Sequence, residues 1–484
     1  MVNGLMRKTK IICTLGPSSS DEATLRCMME AGMDVARFNF SHGTHEEHLE
    51  KFRIVNRLRE ELGLPIGTML DTKGPEIRLG VFENGAVMLQ PGAHFILTPE
   101  QVPGTEERSY ITYGGLGRDL RPGSRVLIDD GLIELTVDYI TDKGEIHTTV
   151  KSGGRVSNRK GVNVPGVHLT LPFLSEADKQ DLLFGIETGF DFVAASFVRT
   201  AEDVGEMRRF LEEHDGRRIK IISKIENAEG VENIDEILRV SDGVMVARGD
   251  MGVEIPAEKV PHIQKMIIRK CNLACKVVIT ATQMLDSMIR NPRPTRAEVS
   301  DVANAVYEGT DAVMLSGETA MGSYPIEAVR MMSQIAEESE KYLDYMFYQR
   351  RKVSAENLRN ISNTVCYSSV ATASDLEAPV IVAPSVSGFT TRMLSKWRPK
   401  ALIAGLSPSM TAVRQMQLYW GVKPFHAKRA ESTDALLFAS VELLKEKGIV
   451  KEGEIVVATA GVVTRANRHE PVADTNIMRV IVVE

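Results

Sequence analysis

The chain is poor in the residues and patterns that mark several protein classes. It has 5 cysteines among 484 residues, and they are widely spread, which argues against the disulfide framework of small secreted proteins. No run approaches the roughly 18 apolar residues of a membrane span, and the apolar run after the basic stretch Met6–Lys10 is too short for a signal peptide. We therefore predict a cytoplasmic protein without a membrane partner.

Two common nucleotide-binding motifs are also missing. The sequence has no G-x-x-x-x-G-K-[ST] loop and no G-x-G-x-x-G fingerprint placed after a strand. If a nucleotide binds, it binds by other means. The net charge of −7 argues against nucleic acid as the main partner.

Eight short apolar runs lie in the first 320 residues, and most end in a polar or charged cluster. The runs are Ile11–Leu15, Val35–Phe40, Thr68–Asp71, Phe192–Phe197, Ile219–Ile225, Val244–Ala247, Val277–Thr282 and Ala312–Leu315. A (β/α)₈ barrel gathers the C-terminal ends of its strands on one face, and that face carries the chemistry. The pattern predicts such a barrel, with one polar site at the mouth.

Differences in local composition and in the predicted order of strands and helices divide the chain into three predicted domains. Residues 1–74 and 171–345 alternate strand and helix and together have about 250 residues, the size of one TIM barrel. Residues 75–170 hold short β-branched runs broken by Gly and Pro, which is typical of an inserted all-β domain. Residues 346–484 form a further α/β domain.

The last of these domains is expected to contain an open, mainly parallel sheet. Its predicted strands are Val380–Ala383, Leu402–Gly405, Ile455–Thr459 and Arg479–Val483, with helices between them.

The segment after the fifth barrel strand carries paired opposite charges. Lys224 and Glu226 are two residues apart and project to the same side of a strand, and Asp250 is predicted to end the next strand. Two carboxylates on neighbouring strands suit Mg²⁺ or Mn²⁺, because hard ions prefer oxygen ligands. A structural salt bridge among Lys224, Glu226 and Arg248 is equally compatible with the spacing.

Glycines and threonines near the same strand ends are weaker signals. Gly249 and Gly252 flank Asp250, so backbone amides there would approach an anion, although a plain tight turn has the same pattern. Thr280 and Thr282 are expected on one face of their strand, where a hydroxyl would relay a proton or simply fill the strand.

Two segments near the N-terminus combine polar groups with a regular spacing. In Arg37–Ser41, polar residues alternate with Phe38 and Phe40, as expected for a strand with one face at a site and the other in the helix layer. The segment Asp71–Arg78 is dense in charge where the β insertion begins, which indicates a hinge, a ligand clamp or both.

These clusters, in this order, resemble the pyruvate kinase family. The segments that carry the resemblance are Lys10–Ser18, Ala36–Gly43, Asp71–Arg78, Ile222–Asn227, Met245–Pro256, Ala281–Leu285 and Met314–Ala320. The resemblance extends from about residue 7 to the end and is strongest in the barrel. It implies transfer of a phosphoryl group from phosphoenolpyruvate to ADP, giving ATP and pyruvate. It also implies that the insertion, residues 75–170, is a β-barrel-like lid domain that closes over the site.

The resemblance also assigns roles to residues at the barrel mouth. Arg37 and Lys224 would contact the transferring phosphate, and Glu226 and Asp250 would hold Mg²⁺ or Mn²⁺. The remaining substrate contacts would be the backbone amides of Gly249 and Asp250, the pocket residue Ser196, and Thr282 beside the carbon that accepts a proton. K⁺ would be held by Asn39, Ser41, Asp71 and Thr72, and nucleotide phosphates by Asn39, His42 and Arg78. In this family a Glu at the position of Glu76 goes with dependence on K⁺.

The C-terminal domain resembles the family's regulatory domain. Ser385, Ser387, Gly388, Phe389 and Thr390 follow a strand and open a helix, which predicts either a phosphate site or a simple N-cap. The family's second, glycine-rich effector loop reads His469–Asn476 here, without glycine and with acidic groups. AMP or a sugar monophosphate is therefore favoured over fructose 1,6-bisphosphate, and the family resemblance implies a homotetramer.

Two rival functions remain compatible with the sequence alone. A metal-dependent barrel lyase or aldolase acting on pyruvate-like substrates would also need two carboxylates, although not the β lid. A metabolite sensor or scaffold on an inactive barrel would require lost catalytic groups, whereas the candidate groups are all present.

Overall fold

The computed structural model describes residues 7–346, 360–461 and 475–484. The first segment alternates strand and helix as predicted. It contains β1 (Lys10–Thr14), α1 (Glu22–Ala31), β2 (Val35–Asn39), α2 (His45–Leu62) and β3 (Gly67–Asp71). The predicted start of α1 is confirmed, because the Asp21 carboxylate caps the helix by accepting a hydrogen bond from Thr24 N.

The inserted segment is almost entirely β. It contains β4 (Ile77–Arg78), β5 (Ala86–Leu89), β6 (His94–Thr98), β7 (Arg108–Tyr110), the one-turn helix α3 (Leu116–Asp119), β8 (Arg125–Ile128), β9 (Ile133–Ile140), β10 (Ile146–Ser152), β11 (Gly154–Ser157) and β12 (Gly161–Asn163). Seven strands form one sheet in the order β4-β12-β8-β9-β10-β6-β7, and β5 pairs with β11. A bridge between Leu79 and Ile111 joins the two edges of the larger sheet, so the domain curls toward closure.

Strand–helix alternation then resumes and completes the barrel. The elements are α4 (Glu176–Thr188), β13 (Phe192–Ala195), α5 (Ala201–Glu213), β14 (Lys220–Ile225), α6 (Ala228–Glu232), α7 (Ile234–Val240), β15 (Gly243–Ala247), α8 (Arg248–Glu254), α9 (Val260–Ala274), β16 (Val277–Ala281), α10 (Arg296–Glu308), β17 (Ala312–Leu315), α11 (Gly317–Ala320) and α12 (Pro325–Lys341). The closed order is β1-β17-β16-β15-β14-β13-β3-β2, and every described pairing within it is parallel. The predicted TIM barrel is confirmed.

The C-terminal domain is an open α/β sheet, as predicted, with one strand more. It contains α13 (Ile361–Asp375), β18 (Val380–Pro384), α14 (Phe389–Lys396), β19 (Leu402–Ser407), α15 (Met410–Gln415), β20 (Val422–His426), α16 (Thr433–Glu446), β21 (Ile455–Gly461) and β22 (Thr475–Val482). The sheet order is β20-β19-β18-β21-β22, with β22 antiparallel to β21. The sequence prediction missed β20 and began β22 four residues late. The exact division into 1–74 with 171–345, 75–170 and 346–484 stays a prediction.

Two apolar layers hold the barrel together. Residues such as Ile11 and Phe38 face outward into the core between strands and helices. Their neighbours Ile12 and Met245 face inward, and this inner core continues into the C-terminal domain, where it includes Trp397. The barrel interior and the C-terminal domain therefore share one apolar core.

A repeated carboxylate marks the base of the barrel, where the strands begin. In each case the aspartate directly before one strand accepts a hydrogen bond from the amide of the second residue of a neighbouring barrel strand. The pairs are Asp34 with Ile11 N, Asp191 with Thr68 N, Asp242 with Ile221 N and Asp311 with Val278 N. Each carboxylate also pairs with an arginine, namely Arg7, Arg414, Arg208 and Arg398 respectively. Arg414 and Arg398 belong to the C-terminal domain, so they also dock it onto the barrel.

Among the described residues, none of the helices combines the length and the apolar character that crossing a bilayer requires.

Candidate active site

Lys224 is at the centre of a buried polar network at the barrel mouth. Its ammonium Nζ lies 3.1 Å from Asp71 Oδ1 and 3.0 Å from Glu226 Oε1. It also donates a hydrogen bond of 2.7 Å to the Ser196 hydroxyl. The ends of β3, β13 and β14 therefore contribute one residue or more each to a single cluster.

Arg37 joins this cluster from β2. Its Nε donates to Asp71 Oδ2 over 2.6 Å, and one terminal nitrogen donates to Thr14 Oγ1 over 2.8 Å. Phe38, the next residue, is buried in the outer core, so the strand presents its polar face to the mouth and its aromatic face to the helices. Asp71 thus bridges two cations, and both cations are held ready for an anion.

Burial and charge act in opposite directions on these groups. Burial raises the pKa of Asp71, but Arg37 and Lys224 outweigh burial, so the pKa lies below its ordinary value. Burial lowers the pKa of Lys224, but Asp71 and Glu226 outweigh that effect, so the pKa lies above its ordinary value. The lysine therefore remains charged at neutral pH.

Nearby positive charges offset the cost of burying the ionised carboxylate less completely at Glu226 than at Asp71. Burial raises its pKa to about 7, and the nearby Asp250 adds to the rise while Lys224 opposes it. Its Oε2 accepts a hydrogen bond from Phe197 N, whereas its buried Oε1 makes no hydrogen bond despite its closeness to Lys224. An oxygen with an unused lone pair in a carboxyl of raised pKa fits a divalent cation, which would stabilise the ionised form.

The described residues offer a small set of oxygen ligands at this point. In residues 7–346, 360–461 and 475–484 no group of three His, Cys, Asp or Glu side chains is arranged to hold an ion by itself. Glu226 and Asp250 are the two carboxylates of the predicted pair. This matches the habit of Mg²⁺, which keeps several sites for water and substrate oxygens.

Asp250 is placed differently from the prediction that it ends a strand. β15 ends at Ala247, and Asp250 lies in the first turn of the short helix α8. The amide of Gly249 in the same turn donates a 2.7 Å hydrogen bond to the hydroxyl of Thr282. This contact joins the predicted substrate-binding turn to the predicted proton-transfer residue.

The prediction that Thr280 and Thr282 share a strand face is wrong. β16 ends at Ala281, and Thr282 adopts a left-handed backbone conformation with φ of 68° that turns the chain out of the strand. Thr280 stays in the strand, where it is buried and donates to the Thr310 hydroxyl. Arg248 stabilises the turn by donating to the carbonyl of Thr282 over 2.7 Å, a role that its sequence position did not reveal.

The residues predicted to hold K⁺ lie at neighbouring strand ends. Asn39 is opposite Asp71 in the pairing of β2 with β3. β2 ends at Asn39, so Ser41 lies beyond it rather than on its face, and Ser41 N donates to Asn39 Oδ1. The carbonyl of Thr72 accepts a 2.6 Å hydrogen bond from Ser196.

A cleft of about 350 Å³ separates the inserted β domain from the barrel. Arg78 lines it from the lid side and forms an ion pair of 2.7 Å with Glu76, and Asp250 lines it from the barrel side. Of the three residues predicted to contact nucleotide phosphates, Arg78 alone is among the described residues that line this cleft. His42 is exposed on the loop after β2, and its carbonyl is hydrogen bonded to the ring of His48.

One loop contacts both connectors of the lid, and sequence reasoning overlooked most of it. The loop Ser196–Arg199 follows β13, and a Cβ on Gly74 in the outgoing connector would lie 2.8 Å from the Ser196 Cβ. Arg199 donates to the carbonyls of Leu169 and Leu171 in the returning connector, over 2.9 and 3.0 Å. The loop that supports Glu226 through Phe197 N thus also positions the lid.

The predicted effector loop lies in the C-terminal domain, between β18 and α14. Gly388 precedes α14 with φ of 78°, and no side chain caps the helix there. Thr390 N donates to Ser385 Oγ over 3.4 Å, and Ser387 is exposed. Phe389 packs against the shared inner core. In the partner loop, residues 469–474 lie outside the described part of the chain.

Comparisons with known proteins agree with this geometry. The family profile "Pyruvate kinase, barrel domain" matches residues 6–329, and "Pyruvate kinase, alpha/beta domain" matches residues 363–481. The chain belongs to the pyruvate kinase family. The predicted resemblance and the prediction of a phosphotransferase enzyme are therefore confirmed, and the alternative of a lyase or aldolase is not favoured.

Individual relatives match over nearly the whole chain. A pyruvate kinase from Geobacillus stearothermophilus is 51% identical over 99% of this chain and 81% of its own length. One from Clostridium acetobutylicum is 49% identical over 99% of this chain and 100% of its own length. The crystal structure of a pyruvate kinase from Cryptosporidium parvum superimposes with a TM-score of 0.93 at 38% identity, covering 99% of this chain and 96% of that one.

Proposed function

We propose that this chain transfers the phosphoryl group of phosphoenolpyruvate to ADP, giving ATP and pyruvate. The observation that carries the proposal is the buried Lys224 ammonium, which projects into the barrel mouth between two carboxylates, Asp71 and Glu226. Phosphoryl transfer depends mainly on positioning and on neutralising negative charge, and this arrangement supplies a fixed cation for that purpose.

The side chains around Lys224 have complementary roles in this proposal. Arg37 grips the phosphoryl oxygens with the guanidinium that Asp71 orients, and Lys224 neutralises the group during transfer. Backbone amides of Gly249 and Asp250 bind the substrate carboxylate, and Ser196 lines the pocket. Thr282 borders the carbon that is protonated after transfer. Glu226 and Asp250 would hold a Mg²⁺ or Mn²⁺ ion, which would supply Lewis-acid charge for the phosphoryl transfer.

A coupled assay of ADP-dependent pyruvate formation tests the proposal. We expect Lys224→Met to lower kcat by about 10³-fold or more, by analogy with other cations that act on a transferring phosphoryl group. Lys220→Met is the matched control, because Lys220 starts the same strand and pairs with Asp242 at the base. Equal activity of Lys224→Met and wild type, or no ADP-dependent reaction in the wild type, would overturn it.

We further propose that K⁺ stimulates the reaction through Asn39, Ser41, Asp71 and Thr72. Support comes from the adjacent ends of β2 and β3, where Asn39 and Asp71 are paired residues of neighbouring strands. Glu76 forms an ion pair with Arg78. Because the Glu76 side chain is acidic, it supplies no positive charge that would take the place of K⁺. Full turnover in a buffer free of K⁺ and NH₄⁺ would contradict this part of the proposal.

The nucleotide is proposed to enter the cleft beneath the lid, with Arg78, Asn39 and His42 facing its phosphates. Closure of the lid would exclude water, which otherwise competes as the phosphoryl acceptor. We also retain a cytoplasmic homotetramer, without nucleic-acid partners, as the working assembly.

Allosteric regulation is proposed at the loop of Ser385, Ser387, Gly388, Phe389 and Thr390. The N-terminus of α14 would bind a phosphate through its backbone amides, of which Thr390 N makes a 3.4 Å hydrogen bond to Ser385 Oγ, and Ser387 is exposed in the same loop. Calorimetric titration with AMP, a sugar monophosphate and fructose 1,6-bisphosphate distinguishes the effectors. We expect a monophosphate to bind and Ser387→Ala to weaken its binding; an unchanged affinity in that variant would exclude this site.

A further inference from the structure

Two histidines lie next to each other on the outer face of the lid sheet, away from the cleft. His147 on β10 is directly opposite Tyr139 on β9, and His94 on β6 is opposite Thr149, two residues along β10. His94 and His147 are therefore diagonal neighbours on one face of three consecutive strands. Neither histidine is among the residues that line the cleft between lid and barrel.

The two imidazoles face each other through ring nitrogens. His147 Nδ1 lies 3.2 Å from His94 Nε2. Two imidazole nitrogens bound to one tetrahedral Zn²⁺ at about 2.0–2.1 Å each are separated by about 3.3 Å. We propose that His94 and His147 form a binding site for a divalent transition-metal ion such as Zn²⁺. A shared proton fills the same gap when the rings are hydrogen bonded to each other, so protons and metal ions compete for it.

Neighbouring side chains orient the proposed ligands. The carboxylate Oε2 of Glu145 lies 4.0 Å from His147 Nε2, the ring nitrogen that remains when Nδ1 binds a metal ion. Metal-bound histidines usually direct their second nitrogen to a carboxylate or carbonyl, which fixes the ring and strengthens the ligand. The Tyr139 ring stacks on His147 with a centroid distance of 4.3 Å and an angle of 12°, which restricts rotation of the imidazole.

The chemistry of this site differs from that of the barrel mouth. Nitrogen ligands favour Zn²⁺, Cu²⁺ and Ni²⁺, whereas the carboxylates Glu226 and Asp250 favour Mg²⁺ or Mn²⁺. Two histidines supply half of a tetrahedral shell, and water completes it. An ion there would link β6 to β10 and stiffen the lid sheet without touching the catalytic groups.

Calorimetric titration of the full chain with Zn²⁺ tests the proposal, in a large excess of Mg²⁺ that saturates the oxygen sites. We expect wild type to bind one more equivalent of Zn²⁺ than the double variant His94→Gln/His147→Gln. Each single variant should weaken this binding by at least about tenfold. His262→Gln is the matched control, because His262 is an exposed histidine on α9, and it should titrate like wild type.

A second measurement guards against misfolded variants. The two histidine variants should keep the kcat of wild type in Mg²⁺, because they leave the cleft and the barrel mouth intact. Zn²⁺ should raise the thermal midpoint of the wild-type protein and leave that of the double variant unchanged. Identical Zn²⁺ stoichiometry and affinity in wild type and double variant would show that no such site exists.

Discussion

At the base of the barrel, the Asp311 carboxylate accepts a hydrogen bond from Val278 N and pairs with Arg398 over 2.7 Å. At the mouth, the Glu226 carboxylate keeps one buried oxygen without a hydrogen bond, and its pKa is raised to about 7. Both groups are buried acids at ends of parallel strands. The acid at the base completes the hydrogen bonding of the strands, whereas the acid at the mouth is incomplete in the absence of a further cation.

Left-handed backbone occurs at both ends of the barrel, since Cys275 and Arg398 at the base have φ of 56° and 50°. Phe197, Thr282 and Gln283 near the mouth all have positive φ, between 53° and 68°, although none is glycine. Such conformations cost about 1–3 kcal/mol each and persist where the surrounding contacts impose them. The difference between Asp311 and Glu226 therefore carries the comparison, and it indicates that the base stabilises the barrel and that the mouth gives up stability to position reactive groups, as expected for this fold.

Between the two acids, the larger expected loss of activity is in Glu226→Gln. The variant removes a proposed metal ligand, so we expect kcat to fall by about 100-fold or more. At neutral pH its thermal midpoint should equal or exceed that of wild type, because a poorly compensated buried charge is removed. Steady-state kinetics and thermal unfolding check both points; a destabilised variant of normal activity would reverse the roles of mouth and base.

The opposite pattern is expected for Asp311→Ala at the base. Removing this carboxylate leaves Arg398 buried without its ion pair, which should destabilise the protein by about 3–5 kcal/mol. Activity per folded molecule should stay within a few-fold of wild type. Chemical unfolding measures the change, with Asp235→Ala as the control, because Asp235 pairs with Lys270 on the surface. A loss of activity without a loss of stability would contradict the proposed role of Asp311 in stabilising the base of the barrel.

The pH dependence of stability tests whether the Glu226 carboxylate at the mouth is destabilised when it is ionised. The pKa of Glu226 rises from 4.5 unfolded to about 7 folded, so the folded state binds a proton that the unfolded state has released between these values. Metal-free wild type should therefore lose stability relative to Glu226→Gln as pH rises from 4.5 to 7, by on the order of 3 kcal/mol, and no further above pH 7. Unfolding midpoints with a chelator present measure the difference, and parallel curves would contradict the assignment.

The smallest effect concerns the loop that supports both the mouth and the lid. We expect Arg199→Met to lower kcat by about tenfold, because the returning lid connector loses two hydrogen bonds and the loop that holds Glu226 loosens. Arg209→Met on α5, the helix that follows this loop, is the control, since Arg209 is exposed and pairs with Glu202. If Arg199→Met and Arg209→Met have the same kcat and KM, the loop does not couple the lid to the site.

Much of the barrel was predictable because its strands are buried on both faces. Such strands read as continuous apolar runs, and charged residues at their ends have no place in the core. The runs ending at Asp71, Ile225 and Leu315 match observed strands at that end. The strand β20 escaped detection because Val422–His426 contains Lys423 and Pro424, which its position at the sheet edge tolerates.

The finer geometry of the mouth was not predictable from periodicity. A two-residue repeat assumes an extended backbone, and Thr282 leaves the strand through a left-handed turn that Arg248 holds in place. The repeated Asp at the base did have a sequence signal, because Asp34, Asp191 and Asp311 each directly precede an apolar strand. Their roles depend on amides of a neighbouring strand, which only the closed barrel brings near.

The apolar interior of the barrel continues without interruption into the C-terminal domain, through residues such as Met245 and Trp397. The C-terminal domain consequently covers the end of the barrel at which the strands begin. A variant truncated before the C-terminal domain would expose the apolar end of the barrel to water. A chimera with the C-terminal domain of another protein would also need the side chains that pack against the barrel interior.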